Sequence, residues 1–342
     1  MTYIIICLYT FIIFLLFIIL NNYLKSKSIL KEHMSMQNTR LNKILTDDGY
    51  IIDTDNFIIK KNGETFKYNS KNFNNIDAHN TAKNKPLSNK IFSENNIPVP
   101  AHWIINNENK SEYINDNNAL RKSFPCVLKP VDGMQGKDVN TFIKNNDQFK
   151  KILEELLSKY KEIMMENQVY GDNYRIFVFN NTIIDIVKRE QPFVIGNGND
   201  NVNDLINKKN KDQLEKKLFP TKNLDWNYIL EQGYTPDDIL ENNKKIFITN
   251  TINFHNGANP VRMDLAKVPE INKNMFINAH KLIKLDCSGI DYMSDDIYTP
   301  YNDNDGHIIE INDMVDTKIH VDADNNADEN FLFKNILKSL KN

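Results

Sequence analysis

A lysine and two glycines follow one another at the end of a short apolar stretch, in a pattern suited to binding phosphate. Residues 124–128 predict a buried strand that leads into Lys129, and Gly133 and Gly136 follow within a few residues. Glycines let a loop backbone approach an anion and point its N–H groups at it, while the lysine supplies a cation. The segment matches neither a P-loop nor a dinucleotide-binding fingerprint. Two interpretations stay open, a phosphate-binding loop and an ordinary buried strand that ends in a surface turn.

Carboxylate and amide side chains lie on two later apolar stretches, in a pattern suited to holding a hard metal ion. Asp291 belongs to a Gly-Ile-Asp run, and Glu310 and Asn312 belong to a Glu-Ile-Asn run. Side chains two residues apart on a strand point to the same face, so Glu310 and Asn312 project together. If Asp291 lies on the neighbouring strand, three oxygen ligands converge, and with water and phosphate oxygens they suit Mg²⁺. The alternative is a set of ordinary polar residues on half-exposed strands.

Strands and helices alternate along the chain and must position these groups. Asn62-Gly63 predicts a hairpin within residues 50–68, and a second hairpin is predicted around Asn180-Asn181. Residues 210–243 read as a polar, partly helical insertion. Together these elements predict an α+β or α/β body of the kind that enzymes use. The spacing of apolar residues predicts helices over residues 80–95, 147–160, 202–208, 272–285 and 330–340.

Length and composition limit the possible classes of protein. The chain has 342 residues, enough for two domains or one multi-lobed domain, and a net charge of −3. It contains no basic block, so nucleic acid is not expected as a partner. The three cysteines lie far apart and form no metal-type spacing, which favours a reducing compartment. They are Cys7, Cys126 and Cys287.

The N-terminal segment predicts a membrane anchor. Residues 3–20 carry no charge, and this run is just long enough for a helix to span a bilayer. No basic residue precedes this run, whereas Lys25, Lys27 and Lys31 follow it, so the rest of the chain is expected on the cytoplasmic side. We therefore predict a single-pass anchor over residues 1–22, a tether with a small β region over 23–79, and the main domain over 80–342. A cleaved signal peptide or a buried helix is the alternative.

From about residue 80 to residue 320 the chain resembles the ATP-grasp ligases, in particular the ATP-grasp region of cyanophycin synthetase and its glutathione-synthetase-like relatives. Lys85-Pro86-Leu87 with Ile97-Pro98-Val99-Pro100 resembles the entry helix and strand of that family. The Lys129 strand and its glycine loop resemble the lysine strand and flexible loop. The remaining similar segments are residues 165–175, 189–198 and 230–257, and the Gly-Ile-Asp and Glu-Ile-Asn runs.

The resemblance implies an ATP-grasp fold, with two α+β lobes gripping ATP and a lid lobe at about residues 124–187. It implies a carboxylate–amine or carboxylate–thiol ligase that uses ATP and Mg²⁺, with Mn²⁺ as a possible substitute, and proceeds through an acyl-phosphate. Amino acids or peptides are the implied substrates, and a homo-oligomer is a possible assembly. Cyanophycin synthetase continues into a Mur-ligase-like domain, and this chain ends at Asn342, so we do not expect that second activity here.

The resemblance also implies roles for individual residues. Lys129 would contact the phosphates and the adenine edge, Glu166 would accept from the adenine amino group, and Val169 would hold the ring through its backbone. Asp291, Glu310 and Asn312 would carry magnesium. Arginines suit carboxylate or phosphoryl groups, so Arg175, Arg189 and Arg262 are the candidate catalytic residues, with surface ion pairs as the alternative. The other candidate nucleotide contacts are Lys85, Lys90, Gly133, Met134, Gln135, Gly136, Lys137 and Asn173.

Several positions depart from the family pattern. Asn89 stands where relatives have a second nucleotide lysine, with Lys90 one residue later, and Asn173 replaces an acid that holds the ribose. After Asn312, residues 313–317 replace the usual small residue and Pro-Gly, which leaves the substrate open. A degenerate module that binds nucleotide as a membrane-tethered scaffold or sensor is therefore the second hypothesis, and a membrane-associated protein with coincidental motifs is the third. His320 is a candidate substrate contact or a structural histidine.

Overall fold

A computed structural model describes residues 51–53, 58–61, 64–67, 74, 76–114, 124–133, 136–313, 315–323 and 331–339. The chain divides into two compact units, Met1–Ser70 and Lys71–Asn342. In the first unit, β1 (Ile51–Asp53), β2 (Ile58–Lys61) and β3 (Glu64–Lys67) form an antiparallel sheet in that order. The antiparallel pairing of β2 with β3 confirms the hairpin predicted within residues 50–68.

The predicted membrane anchor, residues 1–22, lies outside the residues that the structure describes. In the part of the chain that is described, no helix has the length and apolar character needed to cross a membrane.

A four-stranded antiparallel sheet forms one layer of the second unit. Its strands run in the order β4 (His102–Ile105), β7 (Ile163–Asn167), β5 (Cys126–Pro130) and β6 (Asn140–Ile143). Helix α4 (Asn146–Lys159) packs on it through Phe149, Leu153, Leu156 and Leu157, whose three- and four-residue spacing forms one apolar face. Asn145 caps this helix by accepting from the Gln148 N–H.

A five-stranded antiparallel sheet forms the centre of the second unit. Its strands run in the order β12 (Asn259–Arg262), β9 (Thr182–Glu190), β8 (Asp172–Phe179), β13 (Cys287–Ser294) and β14 (His307–Asn312). The face that carries Ile176, Ile186 and Ile290 packs against α7 (Glu270–Leu282) and closes the largest hydrophobic core of the described chain. The opposite face, here called the polar face, carries Arg175, Asp291 and Glu310.

The predicted lid segment, residues 124–187, is divided between these two sheets. Strands β5 to β7 belong to the four-stranded sheet, whereas β8 and most of β9 fall in the five-stranded sheet. The predicted hairpin around Asn180-Asn181 is present, but an alternating pattern does not reveal which sheet a hairpin joins.

Two helices replace the single predicted helix over residues 80–95. They are α1 (Ile76–Lys83) and α2 (Lys85–Glu94), separated at Asn84. The Asn84 side chain accepts from the Leu87 N–H, and Pro86 lies in the first turn, where its missing N–H is not needed. The prediction of one helix was wrong because the apolar spacing continued across this cap.

The insertion has a small core of its own. Strands β10 (Phe193–Ile195) and β11 (Lys245–Phe247) pair, and α5 (Val202–Glu215) and α6 (Trp226–Glu231) pack on them. Val202, Ile206, Leu240 and Ile246 are buried there. The remaining elements are α3 (Lys110–Ile114), α8 (Thr317–Val321), α9 (Phe331–Ser339) and two 3-10 turns, Phe254–Asn256 and Leu265–Lys267.

Candidate active site

A buried ion pair marks the four-stranded sheet's contribution to the site. Lys129 Nζ lies 2.7 Å from Glu166 Oε2, and both side chains are less than a tenth exposed. Their strands pair so that Val127 lies opposite Glu166, which puts Lys129 on the same side two residues along. The second Glu166 oxygen, Oε1, is buried without a partner. A ligand that donates a hydrogen bond, as an amino group does, would satisfy it.

Lys85 connects the glycine loop to the five-stranded sheet. Its ammonium group donates to the carbonyl oxygens of Gly133 at 2.7 Å and Val131 at 3.3 Å. The same Nζ lies 3.9 Å from Oε1 of Glu310. Lys85 at the start of α2 therefore places the loop after β5 beside one of the predicted metal ligands.

The glycine loop itself is only partly described. A side chain at Gly133 would press on the Pro130 carbonyl at 3.2 Å, and Gly136 has a positive φ of 71°. Gly136 also lies close to the Asn253 side chain in the Asn253–Gly257 segment. Met134 and Gln135 lie outside the described residues, and Lys137 is exposed.

Strand register places charged side chains in one row across the polar face. Arg262 lies opposite Val187, Val187 opposite Arg175, Arg175 opposite Asp291, and Asp291 opposite Glu310. Directly opposed residues in antiparallel strands point to the same side of a sheet. The predicted convergence of Asp291, Glu310 and Asn312 is therefore present, because β13 and β14 are neighbours.

Two arginines hold Asp291. Arg175 Nη1 lies 2.7 Å and Arg189 Nη2 3.0 Å from the same oxygen, Oδ1 of Asp291. Burial by itself would raise the pKa of Asp291, but Arg175 and Arg189 outweigh it and hold that pKa below its ordinary value. Burial likewise lowers the pKa of Arg189, and Asp291 opposes that shift. The cluster of Arg175, Arg189 and Asp291 is thus a charged group in a desolvated place.

Glu310 and Asn312 complete this group of side chains. In the amide orientation that satisfies its neighbours, Asn312 accepts from Arg175 Nη1 at 2.8 Å and donates to Glu310 Oε1 at 3.1 Å. Burial raises the pKa of Glu310, Asp291 adds to that rise, and the Lys85 and Lys129 ammonium groups oppose it. Lys129 of the four-stranded sheet therefore acts electrostatically on Glu310 of the five-stranded sheet.

The side chains predicted to hold magnesium are Asp291, Glu310 and Asn312. Among the residues that the structure describes, no three His, Cys, Asp or Glu side chains are grouped to hold a metal ion. The carboxylates of Asp291 and Glu310 lie opposite each other on the adjacent strands β13 and β14, and the Asn312 amide lies two residues further along β14. Hard oxygen donors of this kind fit Mg²⁺, which keeps water and takes substrate phosphate oxygens as its other ligands.

Arg262 belongs to a different cluster from the other two predicted arginines. It lies on the edge strand β12, where Nε is 3.2 Å from Oδ1 of Asp185 and Nη2 donates to the His320 carbonyl oxygen. Asp185 also lies 3.0 Å from Nδ1 of His320. Asp185 was not among the site residues predicted from the sequence. The available signal was a lone acid within the otherwise apolar run of β9.

The remaining predicted nucleotide contacts have different surroundings. The Lys90 side chain is 69% exposed and pairs with Glu94 at 3.8 Å, so the structure does not bring it to the site residues described above. Its neighbour Asn89 is buried, and its Nδ2 has no partner. Asn173 accepts from Arg189 Nε at 2.6 Å, and Val169 is buried.

Comparison with known proteins shows what the chain is similar to. Residues 82–211 match the RimK-like ATP-grasp domain. The matched range covers 130 of the 342 residues. It is 26% identical to cyanophycin synthetase of a Nostoc species over 251 residues, covering 70% of this chain and 27% of that protein. It is also 26% identical to the glutathione biosynthesis bifunctional protein of Clostridium perfringens, covering 75% of this chain and 34% of the relative.

A solved structure supports the ATP-grasp fold. The bifunctional glutathione synthetase from Pasteurella multocida aligns with a TM-score of 0.58 and 21% identity, covering 85% of this chain and 41% of that one. The predicted resemblance to ATP-grasp ligases is confirmed, and the relatives that the chain matches are ATP-dependent ligases. Ligases of that family use ATP and Mg²⁺. This chain spans roughly a quarter to a third of the length of the curated relatives named above.

Proposed function

We propose that this protein is an ATP- and Mg²⁺-dependent carboxylate–amine ligase that forms an amide bond through an acyl-phosphate intermediate. The observation that carries the proposal is the junction at Lys85. This side chain contacts both the loop after β5, which follows Lys129, and Glu310 of the five-stranded sheet. The ATP-grasp match and the ligase relatives support the same conclusion.

The residues of the two sheets divide the chemistry between them. Lys129 and Glu166 offer a cation and a bare acceptor to the nucleotide. Asp291, Glu310 and Asn312 are the residues that would hold magnesium, which neutralises charge on phosphate oxygens when bound. The first step transfers the γ-phosphoryl group to the substrate carboxylate and releases ADP. In the second step, an amine attacks the acyl carbon and inorganic phosphate leaves.

Arg175 and Arg189 are placed to stabilise the charge that develops in these steps. Asp291 already fixes both guanidinium groups, so they need little reorganisation when negative charge builds on a phosphoryl or carboxylate oxygen. Both side chains are less than a seventh exposed, and a fixed cation acts more strongly where water is scarce. The fork geometry of arginine suits either group.

A specific observation favours a second candidate function. The Asn173 side chain accepts a hydrogen bond from Arg189. The buried amide nitrogen of Asn89, at a position where relatives have a lysine, has no partner. A domain altered at these positions could bind nucleotide as a scaffold or sensor without ligating anything. Retained Mg-ATP binding without turnover would distinguish this candidate from the ligase.

We also propose, from the sequence alone, that residues 1–22 tether the protein to a membrane with the ligase domain on the cytoplasmic side. The basic residues that follow the apolar run support this orientation. Deleting residues 1–22 should move the protein from the membrane pellet to the supernatant without loss of ATP turnover. Retention of the shortened protein in the pellet would contradict the tether.

Phosphate release from Mg-ATP tests the ligase proposal directly. The purified protein is given pairs of amino acids or small peptides, and we expect release only when both an acid and an amine are present. Glu310→Gln should lower this turnover by on the order of 10²-fold, with little change in nucleotide affinity, because metal placement matters most in the transition state. The control Glu94→Gln, on the exposed side of α2, should behave as the unaltered protein. If no pair ever stimulates release, the ligase proposal fails.

A further inference from the structure

Asp185, His320 and Arg262 form a buried cluster that the sequence did not predict. Asp185 is 3% exposed and His320 is fully buried, although the two lie 135 residues apart in the chain. His320 Nδ1 is 3.0 Å from Asp185 Oδ2, and Arg262 Nε is 3.2 Å from Asp185 Oδ1. Asp185 therefore orients both neighbours.

The carboxylate determines which ring nitrogen of His320 carries the proton. A neutral imidazole has one N–H and one bare nitrogen, and the N–H belongs beside the acceptor oxygen of Asp185. Nε2 is then a bare acceptor, and it is buried without any partner. Leaving such an atom unsatisfied is unfavourable, so a donor in the working complex is expected to meet it.

An unpartnered histidine nitrogen is not sufficient evidence for a site, as His280 shows. His280 is also fully buried with a bare Nε2, but its Nδ1 faces the Ser288 hydroxyl at 2.8 Å. A hydroxyl can donate or accept, so it does not fix the tautomer. His280 lies on α7, on the apolar side of the five-stranded sheet. His320 differs because a carboxylate fixes its tautomer and two arginines are close.

The His320 ring lies beside the arginine–aspartate cluster. It packs on the Phe177 ring with centroids 5.4 Å apart, and Phe177 is two residues from Arg175 on the same face of β8. Both Arg175 and Asp316 act on the charge state of His320. The segment that carries it, α8, comes directly after the residues that replace the family's usual Pro-Gly.

We propose that His320, oriented by Asp185, accepts the proton that the amine co-substrate must lose before it attacks the acyl-phosphate. This inference rests on the proposed ligase function. An ammonium has no lone pair, so R–NH₃⁺ first gives one proton to Nε2, directly or through one water. The amine nitrogen then bonds to the acyl carbon, and the carbon–oxygen bond to phosphate breaks with its electron pair on phosphate. Phosphate takes the second amine proton, and the imidazolium returns the first to solvent.

The charges around His320 suit this role. Burial lowers the pKa of His320, Asp185 and Asp316 oppose that shift, and Arg175 adds to it, so the ring is neutral and able to accept at neutral pH. The groups that face it come from four elements. They are Asp185 on β9, Arg262 on β12, Arg175 on β8 and Asp316 at the start of its own helix.

Trapping the acyl-phosphate with hydroxylamine separates the two half-reactions. Hydroxylamine is a neutral nucleophile at pH 7 and needs no protein base, so its hydroxamate product reports the first step alone. The assay uses the full-length protein, Mg-ATP, and a mixture of the twenty standard amino acids as acids and amines. In His320→Gln we expect hydroxamate within about twofold of the unaltered protein and amide lowered on the order of 10²-fold. Raising the pH should shrink the amide defect, because free amine then forms without help.

His280→Gln is the matched control, since it removes a buried imidazole with the same bare nitrogen from the other side of the sheet, and it should leave both products unchanged. Asp185→Asn is a second variant, which keeps the imidazole but removes the group that fixes its tautomer, and it should also lose amide selectively. Equal loss of both products in the two variants, or an amide defect that pH does not change, would overturn the role of His320. If the unaltered protein makes no hydroxamate, the ligase function itself fails.

Discussion

At the scale of single residues, the ion pair of Lys129 and Glu166 links nucleotide binding to stability. Two charges have left water, and their mutual attraction offsets a desolvation cost of several kcal/mol for each. Removing one partner leaves the other charge buried and unpaired. Replacing one partner alone is therefore expected to lower the free energy of unfolding strongly. Replacing both partners together with apolar residues is expected to lower it much less.

A double-mutant cycle tests this expectation. Lys129→Ala should lower the free energy of unfolding by about 3–5 kcal/mol, whereas the pair Lys129→Met with Glu166→Leu should recover most of that loss. Both variants should lose Mg-ATP binding, measured by calorimetry, because each lacks the cation. Urea unfolding gives the free energies. The control Lys150→Ala, on an exposed position of α4, should change neither quantity. Additive losses in the double variant would contradict a coupled pair.

The lowered pKa of His280 leads to a second prediction, on how the free energy of unfolding changes at acid pH. Burial lowers the pKa of His280 to about 4, from 6.5 in the unfolded chain, with Lys281 adding to that shift. The unfolded state therefore binds more protons than the folded state below pH 6.5, and stability falls as the pH drops from 6.5 to about 4.

The size of that loss follows from the shift, and is roughly 3 kcal/mol over the full window. His280→Gln should flatten the corresponding part of the curve of unfolding free energy against pH. His307→Gln, which removes a half-buried histidine at the start of β14, is the matched control for the loss of an imidazole. An unaltered slope in His280→Gln would show that the ring takes up its proton at the same pH in the folded protein as in the unfolded chain.

At the scale of elements, the turn at Gly257 holds the insertion against its neighbours. Its carbonyl oxygen accepts from Lys209 at 3.3 Å and Gln213 at 3.2 Å, both on α5. Next to it, His255 Nε2 lies 3.2 Å from Asp316 at the start of α8. Gly257 has a φ of 82°, and a side chain there would meet the Thr221 backbone nitrogen at 2.7 Å.

Gly257→Ala and Gly233→Ala separate the effects of backbone and space. Both glycines have positive φ, so either change should cost about 1–2 kcal/mol of unfolding free energy. Nothing lies within 4 Å of the added carbon at Gly233, whereas Thr221 crowds it at Gly257, so Gly257→Ala should cost a further 1–3 kcal/mol or so. Thermal or urea unfolding measures both. Equal costs would mean that the Thr221 segment moves aside freely.

At the scale of the whole molecule, every described residue of the candidate site lies in the unit Lys71–Asn342. The described residues of the other unit, 51–53, 58–61 and 64–67, form a three-stranded sheet and make none of the contacts described above. A fragment of residues 71–342 should therefore fold alone and bind Mg-ATP with an affinity within about threefold of the full chain, since compact units with their own cores fold independently. Calorimetry on both proteins measures the affinities. A fragment that folds but binds no nucleotide would place part of the site in residues 1–70.

Local features of the candidate site follow from the order of residues along the chain. The period of two in a strand put Glu310 and Asn312 on one face, and the Lys129 strand and its glycine loop were evident from apolar runs and glycines. These features depend only on neighbours along the chain. The helix boundaries near Asn84 and the division of residues 124–187 between two sheets did not follow, because caps and sheet membership depend on contacts beyond the local pattern.

Which distant groups meet depends on how the strands pair and the elements pack. The register of β8, β9 and β13 set two arginines on one oxygen of Asp291, and a register is invisible in any single strand. The same holds for Lys85 between the loop and Glu310, and for Asp185 beside His320. Burial then changed the chemistry, since an imidazole that would be an ordinary surface group in water becomes an oriented base once a carboxylate is its neighbour in a dry interior.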